Sequence, residues 1–127
     1  MKRSSLQILL MTILFASSAC AHRPRSGSMS EPPPDVTLQV TNHNFLDVTI
    51  FVLHEGQRIR MGLATGSSSQ SFTIPGRLVE LTHEIALLGQ AIGSSERVRT
   101  EILTVRPGQR IEWTLATELR RSIVGVY

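Results

Sequence analysis

Few side chains in this sequence of 127 residues are of a type that does chemistry, and their spacing decides which chemistry is open. Cys20 is the sole thiol. The histidines are His22, His43, His54 and His83. No two of them stand at the short separation of a paired zinc ligand, so no metal or other cofactor is expected. Ser67, Ser68 and Ser69 form a polar tip, without the Gly-x-Ser-x-Gly turn that presents a serine nucleophile. His83 and Glu84 are adjacent and would point to opposite faces of a strand. No lysine follows residue 2, which closes Schiff-base chemistry. The catalytic reading left open is an envelope or secreted enzyme with a loop-built site around His43, Asp47 and His54.

Arginine is the more informative residue. The whole chain carries a net charge of +3, yet residues 35–127 hold nine arginines against nine acidic residues. A nucleic-acid binder needs a surplus of cations to displace counterions from phosphates, and this segment has none to offer. Alternation along strands puts Arg58 and Arg60 on one exposed face. It groups Arg97, Arg99 and Glu101 on another, and Arg110 with Glu112 on a third. Mixed signs on a solvated face form weak cross-strand pairs. The functional alternative is an arginine platform, with Arg58, Arg60 and Arg110 as candidates for holding a carboxylate, a phosphate or an acidic glycan.

The elements that must position these residues read as strands. Val36, Leu38 and Val40 alternate with polar neighbours, as do Val48, Ile50 and Val52, although Phe51 and Leu53 make the second face of that run apolar too. Glu55-Gly56 supplies a turn, and Ile59, Met61 and Leu63 alternate after it. Phe72 and Ile74 end a strand at Pro75-Gly76. Ile85 and Leu87 mark another, and Val98, Thr100 and Ile102 a further one before Val105. Pro107-Gly108 is a turn ahead of Ile111, Trp113 and Leu115, and residues 122–127 form a last run that closes the sheet or offers it an edge. Period-two alternation with turn signals every 8–12 residues predicts an all-β fold: a small antiparallel sandwich, immunoglobulin-like, of seven or eight strands over 35–127. Residues 77–88 also fit an amphipathic helix with Leu78, Leu81, Ile85 and Leu88 on one stripe, but Pro75-Gly76 and Gly89 bracket a length that suits a loop and a strand. Trp113 is the expected centre of the core.

The N-terminus reads as a targeting segment. Lys2 and Arg3 precede ten apolar residues, 6–15, and then the small residues Ala16, Ser17, Ser18 and Ala19. Ten residues are too few to cross a bilayer, which takes about 20 in a helix. Cleavage before Cys20 or after Ala21 both fit these residues, and only the first keeps the thiol. Residues 20–34, rich in Pro and Ser, read as a tether that cannot bury enough apolar surface to fold.

The string Ala16-Ser17-Ser18-Ala19-Cys20 resembles the lipobox of bacterial lipoprotein precursors. That resemblance implies a signal peptide over 1–19, a diacylglycerol on the Cys20 thiol, cleavage before it and a membrane anchor. Ala21, where an Asp would imply retention in the inner membrane, implies sorting to the outer membrane, facing the periplasm. Asn42, Asn44, Asp47 and Val48, with the later Pro107, Gly108, Gln109, Glu112 and Trp113, are similar to the entry strand and P-G-Q turn of small uncharacterised bacterial lipoproteins. That resemblance implies a fold and no activity. The reading expected from the sequence is therefore a membrane-tethered, non-catalytic module of the cell envelope that binds or scaffolds an envelope protein or an acidic glycan.

Overall fold

The computed structural model describes residues 30–127; the expected signal segment, Cys20 and the expected tether up to residue 29 lie outside the described residues. Nine strands follow in order: β1 (Val36–Asn42), β2 (Val48–His54), β3 (Gln57–Ala64), β4 (Ser68–Ile74), β5 (Glu84–Ala91), β6 (Arg97–Arg99), β7 (Leu103–Thr104), β8 (Arg110–Leu115) and β9 (Ile123–Val126). They form two sheets, one ordered β4-β1-β8-β9 and the other β3-β2-β5-β6, with β7 pairing on β5. The two-sheet sandwich expected from the alternation is what the chain forms. The one departure from antiparallel pairing is β1 with β8, which run parallel. Periodicity assigns faces and not partners, and a parallel pair needs a long crossover, which here is the intervening chain from β2 to β7.

The alternating residues meet between the sheets. Val36, Leu38 and Val40 of β1 and Ile111, Trp113 and Leu115 of β8 face Val48, Ile50 and Val52 of β2 and Ile85 and Leu87 of β5, and all are buried. Trp113 is 1% exposed. Its ring reaches across to Gly89 on β5, where a Cβ would lie 3.3 Å from the indole and 3.1 Å from Val48. The missing side chain makes room for the largest one in the core.

Residues 77–88 resolve as a loop and a strand. A 3-10 turn spans Gly76–Leu78, Val79 is buried, and Leu81 of the alternative helical stripe is 89% exposed. The strand expected through Val98, Thr100 and Ile102 is interrupted. The Thr100 hydroxyl accepts from the Leu87 amide at 2.9 Å and donates to the Glu101 carbonyl at 2.8 Å. A side-chain oxygen thus stands in for a ladder carbonyl. The chain leaves the sheet after Arg99, and Ile102 ends 66% exposed instead of inward.

The compact unit begins at Glu31, so the last tether residues belong with the sandwich. The Gly108 amide donates to the Pro34 carbonyl at 3.1 Å, and the Pro33 and Pro34 carbonyls press so closely on Gly76 that no Cβ fits there. Asp35 accepts from the Gly76 amide at 3.0 Å.

Removing the indole leaves a cavity that two sheets cannot close. Trp113→Ala is expected to lower the unfolding free energy by about 3–5 kcal/mol, read from urea denaturation. An unchanged midpoint would place the indole outside the core.

Candidate functional site

The outer face of the five-stranded sheet gathers the arginines. On β2 the inward residues are Val48, Ile50 and Val52, so Thr49, Phe51 and Leu53 face out. Register then joins strands that the sequence keeps far apart. Arg60 pairs with Phe51, Phe51 with Leu88, and Leu88 with Arg99, in one row across the sheet. Arg58 lies opposite Leu53, and Arg97 opposite Gln90. Two arginine pairs, Arg58 with Arg60 and Arg97 with Arg99, therefore flank an apolar strip of Phe51, Leu53, Ala86 and Leu88. Three inter-strand steps of about 4.8 Å set the two rows roughly 14 Å apart.

The strip is roofed by its own rim. The Arg58 guanidinium carbon sits 4.3 Å from the centre of the Phe51 ring, a cation–π contact, and Phe51 is 9% exposed. Long stems covering apolar floor while their heads stay in water are usual for arginine. Among the described residues no carboxylate lies within 4.0 Å of Arg58, Arg60, Arg97 or Arg99. At one end the face dips into an open groove of about 380 Å³, whose lining includes Leu53, Ala86 and Ile102, the arginines Arg58 and Arg99, and the acids Glu55 and Glu84. Such a surface suits bidentate contact with carboxylate or phosphate groups.

The expected trio of arginines is divided. Arg58 and Arg60 share this face, whereas Arg110 lies on the outer face of the other sheet. There its Nη2 is 2.9 Å from Glu112 Oε1, and its guanidinium carbon is 6.0 Å from the centre of the Tyr127 ring. Arg97 and Arg99, which alternation alone assigned to a separate face, join Arg58 and Arg60 because β5 pairs with both β2 and β6. The signal for this in the sequence was the second apolar face of β2: Phe51 and Leu53 need cover, and long arginine stems provide it.

The residues of the catalytic alternative are not brought together. Asp47 precedes β2 and His54 ends it, so roughly 23 Å of extended strand separates them. Asp47 accepts from the Gly66 amide at 2.9 Å, and His54 Nδ1 lies 3.3 Å from the Glu84 carbonyl. His83 Nδ1 lies 2.7 Å from the Val79 carbonyl. Ser68 and Ser69 donate to the Thr65 carbonyl and the Thr41 hydroxyl. Among the described residues no three His, Cys, Asp or Glu side chains gather as metal ligands do.

Asn42 and Asn44, read from sequence as the entry to a strand, prove to be the polar knot of the fold. Asn42 is 1% exposed. Its amide nitrogen donates to the carbonyls of Leu46 and Ala64 at 3.0 Å and of Thr65 at 3.3 Å, and its oxygen accepts from the Asn44 amide at 2.9 Å. Asn44 reaches the Thr117 carbonyl at 2.9 Å and accepts from the Leu46 amide at 2.9 Å. The Ser67 amide bonds the Asn44 carbonyl at 3.0 Å. No buried side-chain polar atom among the described residues lacks a partner.

No family model matches the chain, and no curated protein matches it. Two of the solved structures that are loosely similar show how far the likeness goes. An NMR structure of a protein from Eubacterium rectale aligns with 73% of this chain and 86% of its own, at 16% identity and a TM-score of 0.43. A crystal structure of a "putative cell adhesion protein" from Bacteroides ovatus aligns with 76% of this chain and 44% of its own, at 9% identity and a TM-score of 0.42. Likenesses this loose transfer no function.

Truncating the buried amide takes a donor from three carbonyls, of which that of Thr65 keeps the Ser68 hydroxyl, and takes the acceptor from the Asn44 amide. Asn42→Ala is expected to destabilise the domain by about 2–4 kcal/mol in urea denaturation. A loss below about 0.5 kcal/mol, the range of an ordinary surface change, would contradict the knot.

Proposed function

We propose that this chain is a lipid-anchored lipoprotein of the bacterial cell envelope, seated in the outer membrane and facing the periplasm, whose sandwich is a non-catalytic binding module. The observation that carries the binding role is the outer face of the five-stranded sheet, with four guanidiniums around an apolar strip and, among the described residues, no carboxylate within 4.0 Å of any of them. Arginines held only for solubility are commonly interspersed with acids, as Arg110 and Glu112 are on the opposite sheet. An acidic partner would supply the missing counter-charges. The anchor is supported by the sequence alone, through the lipobox-like string ending at Cys20 and the Pro- and Ser-rich spacer after it. Two or more acyl chains hold a protein stably at a bilayer, where one is marginal.

Two variants test the two halves of this reading. Metabolic labelling with a fatty-acid probe is expected to mark the wild type and not Cys20→Ala; label that survives the substitution removes the anchor. The double variant Arg58→Glu/Arg60→Glu is expected to stay folded, with a melting temperature lowered by the lost Arg58–Phe51 contact, while losing the partner co-purified from solubilised envelopes. Undiminished co-purification would move the contact to another face.

A further inference from the structure

We propose that the free edge of β3 binds an extended acidic segment of a partner polypeptide by strand addition. This rests on the arginine-face reading and names the partner's chemistry. β3 is an edge strand, paired only with β2, and at eight residues it is longer than the other edges β4, β6 and β9. Among the described residues no main-chain group of residues 57–63 bonds outside the β2–β3 ladder. Edge N–H and C=O groups left in this state are a template for another strand.

The side chains specify which strand. Arg58 and Arg60 point outward two residues apart, a spacing of about 7 Å along the strand. On one side their cross-strand neighbours are Leu53 and Phe51, which carry no charge. Carboxylates can therefore reach both arginines as direct cross-strand neighbours only from the free side, and an added strand with acidic residues at alternate positions has the matching period. Its intervening residues would turn inward, toward Ile59 and Met61, which are only half-buried. The pattern read from β3 is thus acidic, apolar, acidic, apolar. The register shift between Ile50 and Phe51 of β2 bends the ladder near Met61 and confines regular pairing to Gln57–Arg60. Two like charges on this edge repel a second copy of β3, so the partner is a different segment.

Other anionic ligands fit less well. Sugar rings are recognised by open aromatic faces, but Phe51, the aromatic side chain among the arginines of this face, is capped by Arg58. An acyl chain needs an enclosed apolar cavity, and the groove beside β3 is open, with Glu55 and Glu84 in its lining. A peptide strand uses what this edge exposes: main-chain groups, two guanidiniums and a half-covered Ile59.

The test uses the detergent-solubilised full chain and the peptide acetyl-EVEVE-amide, with acetyl-KVKVK-amide as control. The acidic peptide is expected to bind and to slow amide exchange in residues 57–61. Arg58→Glu/Arg60→Glu should weaken it about tenfold or more, and methylating alternate peptide nitrogens in one of the two phases should abolish binding. Binding that tolerates methylation in both phases, or that leaves exchange in β3 unchanged, overturns strand addition but keeps the arginine face as the contact. Failure of the peptide with arginine-dependent binding of polygalacturonate overturns it in favour of an acidic glycan on the same face. Failure of both ligands overturns strand addition and the acidic-partner reading together.

Discussion

One buried carboxamide holds the closed end of this sandwich. Asn42 sits where water cannot serve its hydrogen-bonding groups, so its nitrogen and oxygen must be satisfied by protein. The partners it finds belong to the β1–β2 loop and to the turn between β3 and β4. Asn44 extends the same network to the Thr117 carbonyl beyond β8, and Asp47 to the Gly66 amide. Strands from both sheets are thereby tied at one level. Because the Ala64 carbonyl is among the bonds, the end of β3 is pinned beside the start of β2, and the arginines farther along β3 inherit their level against Phe51 and Leu53.

Strand pairing then sets four arginines of a charge-balanced chain on one face. The acidic residues are as numerous as the arginines in 35–127, and Glu55, Glu84, Glu96 and Glu101 lie on or beside the strands of the five-stranded sheet, but among the described residues none comes within 4.0 Å of its four outer-face arginines. Glu112 accompanies Arg110, and Glu118 accompanies Arg121, on the four-stranded side or its loops. Arg58, Arg60, Arg97 and Arg99 are collected on the other sheet, where Phe51 and Leu88 separate the two pairs. The arginine stems serve packing and the heads serve recognition, so the same residues answer to both needs.

The layers were legible in the sequence because alternation reports burial directly: every inward position named on β1, β2 and β8 is buried. Partnership was not legible. Nothing local tells β1 that β8 lies beside it in parallel, or β5 that it bridges β2 and β6, and it is this bridging that merges two arginine faces into one. The break at Thr100 was also hidden, since a hydroxyl that replaces a ladder carbonyl looks in sequence like any strand threonine. Asn42 and Asn44 were visible as residues and silent as a network, because their partners lie up to 73 positions away.

The central claim is that the outer face of the five-stranded sheet, and not that of the four-stranded sheet, meets the partner. Gln90 near the end of β5 and Gln39 in the middle of β1 are the same residue type, both half-buried and both facing outward from opposite sheets. Site-specific photocrosslinking in intact cells, with a photoreactive residue placed at one or the other position, compares the two faces directly. Adducts from position 90 and none from position 39 are the predicted result. Adducts from position 39 alone would contradict it.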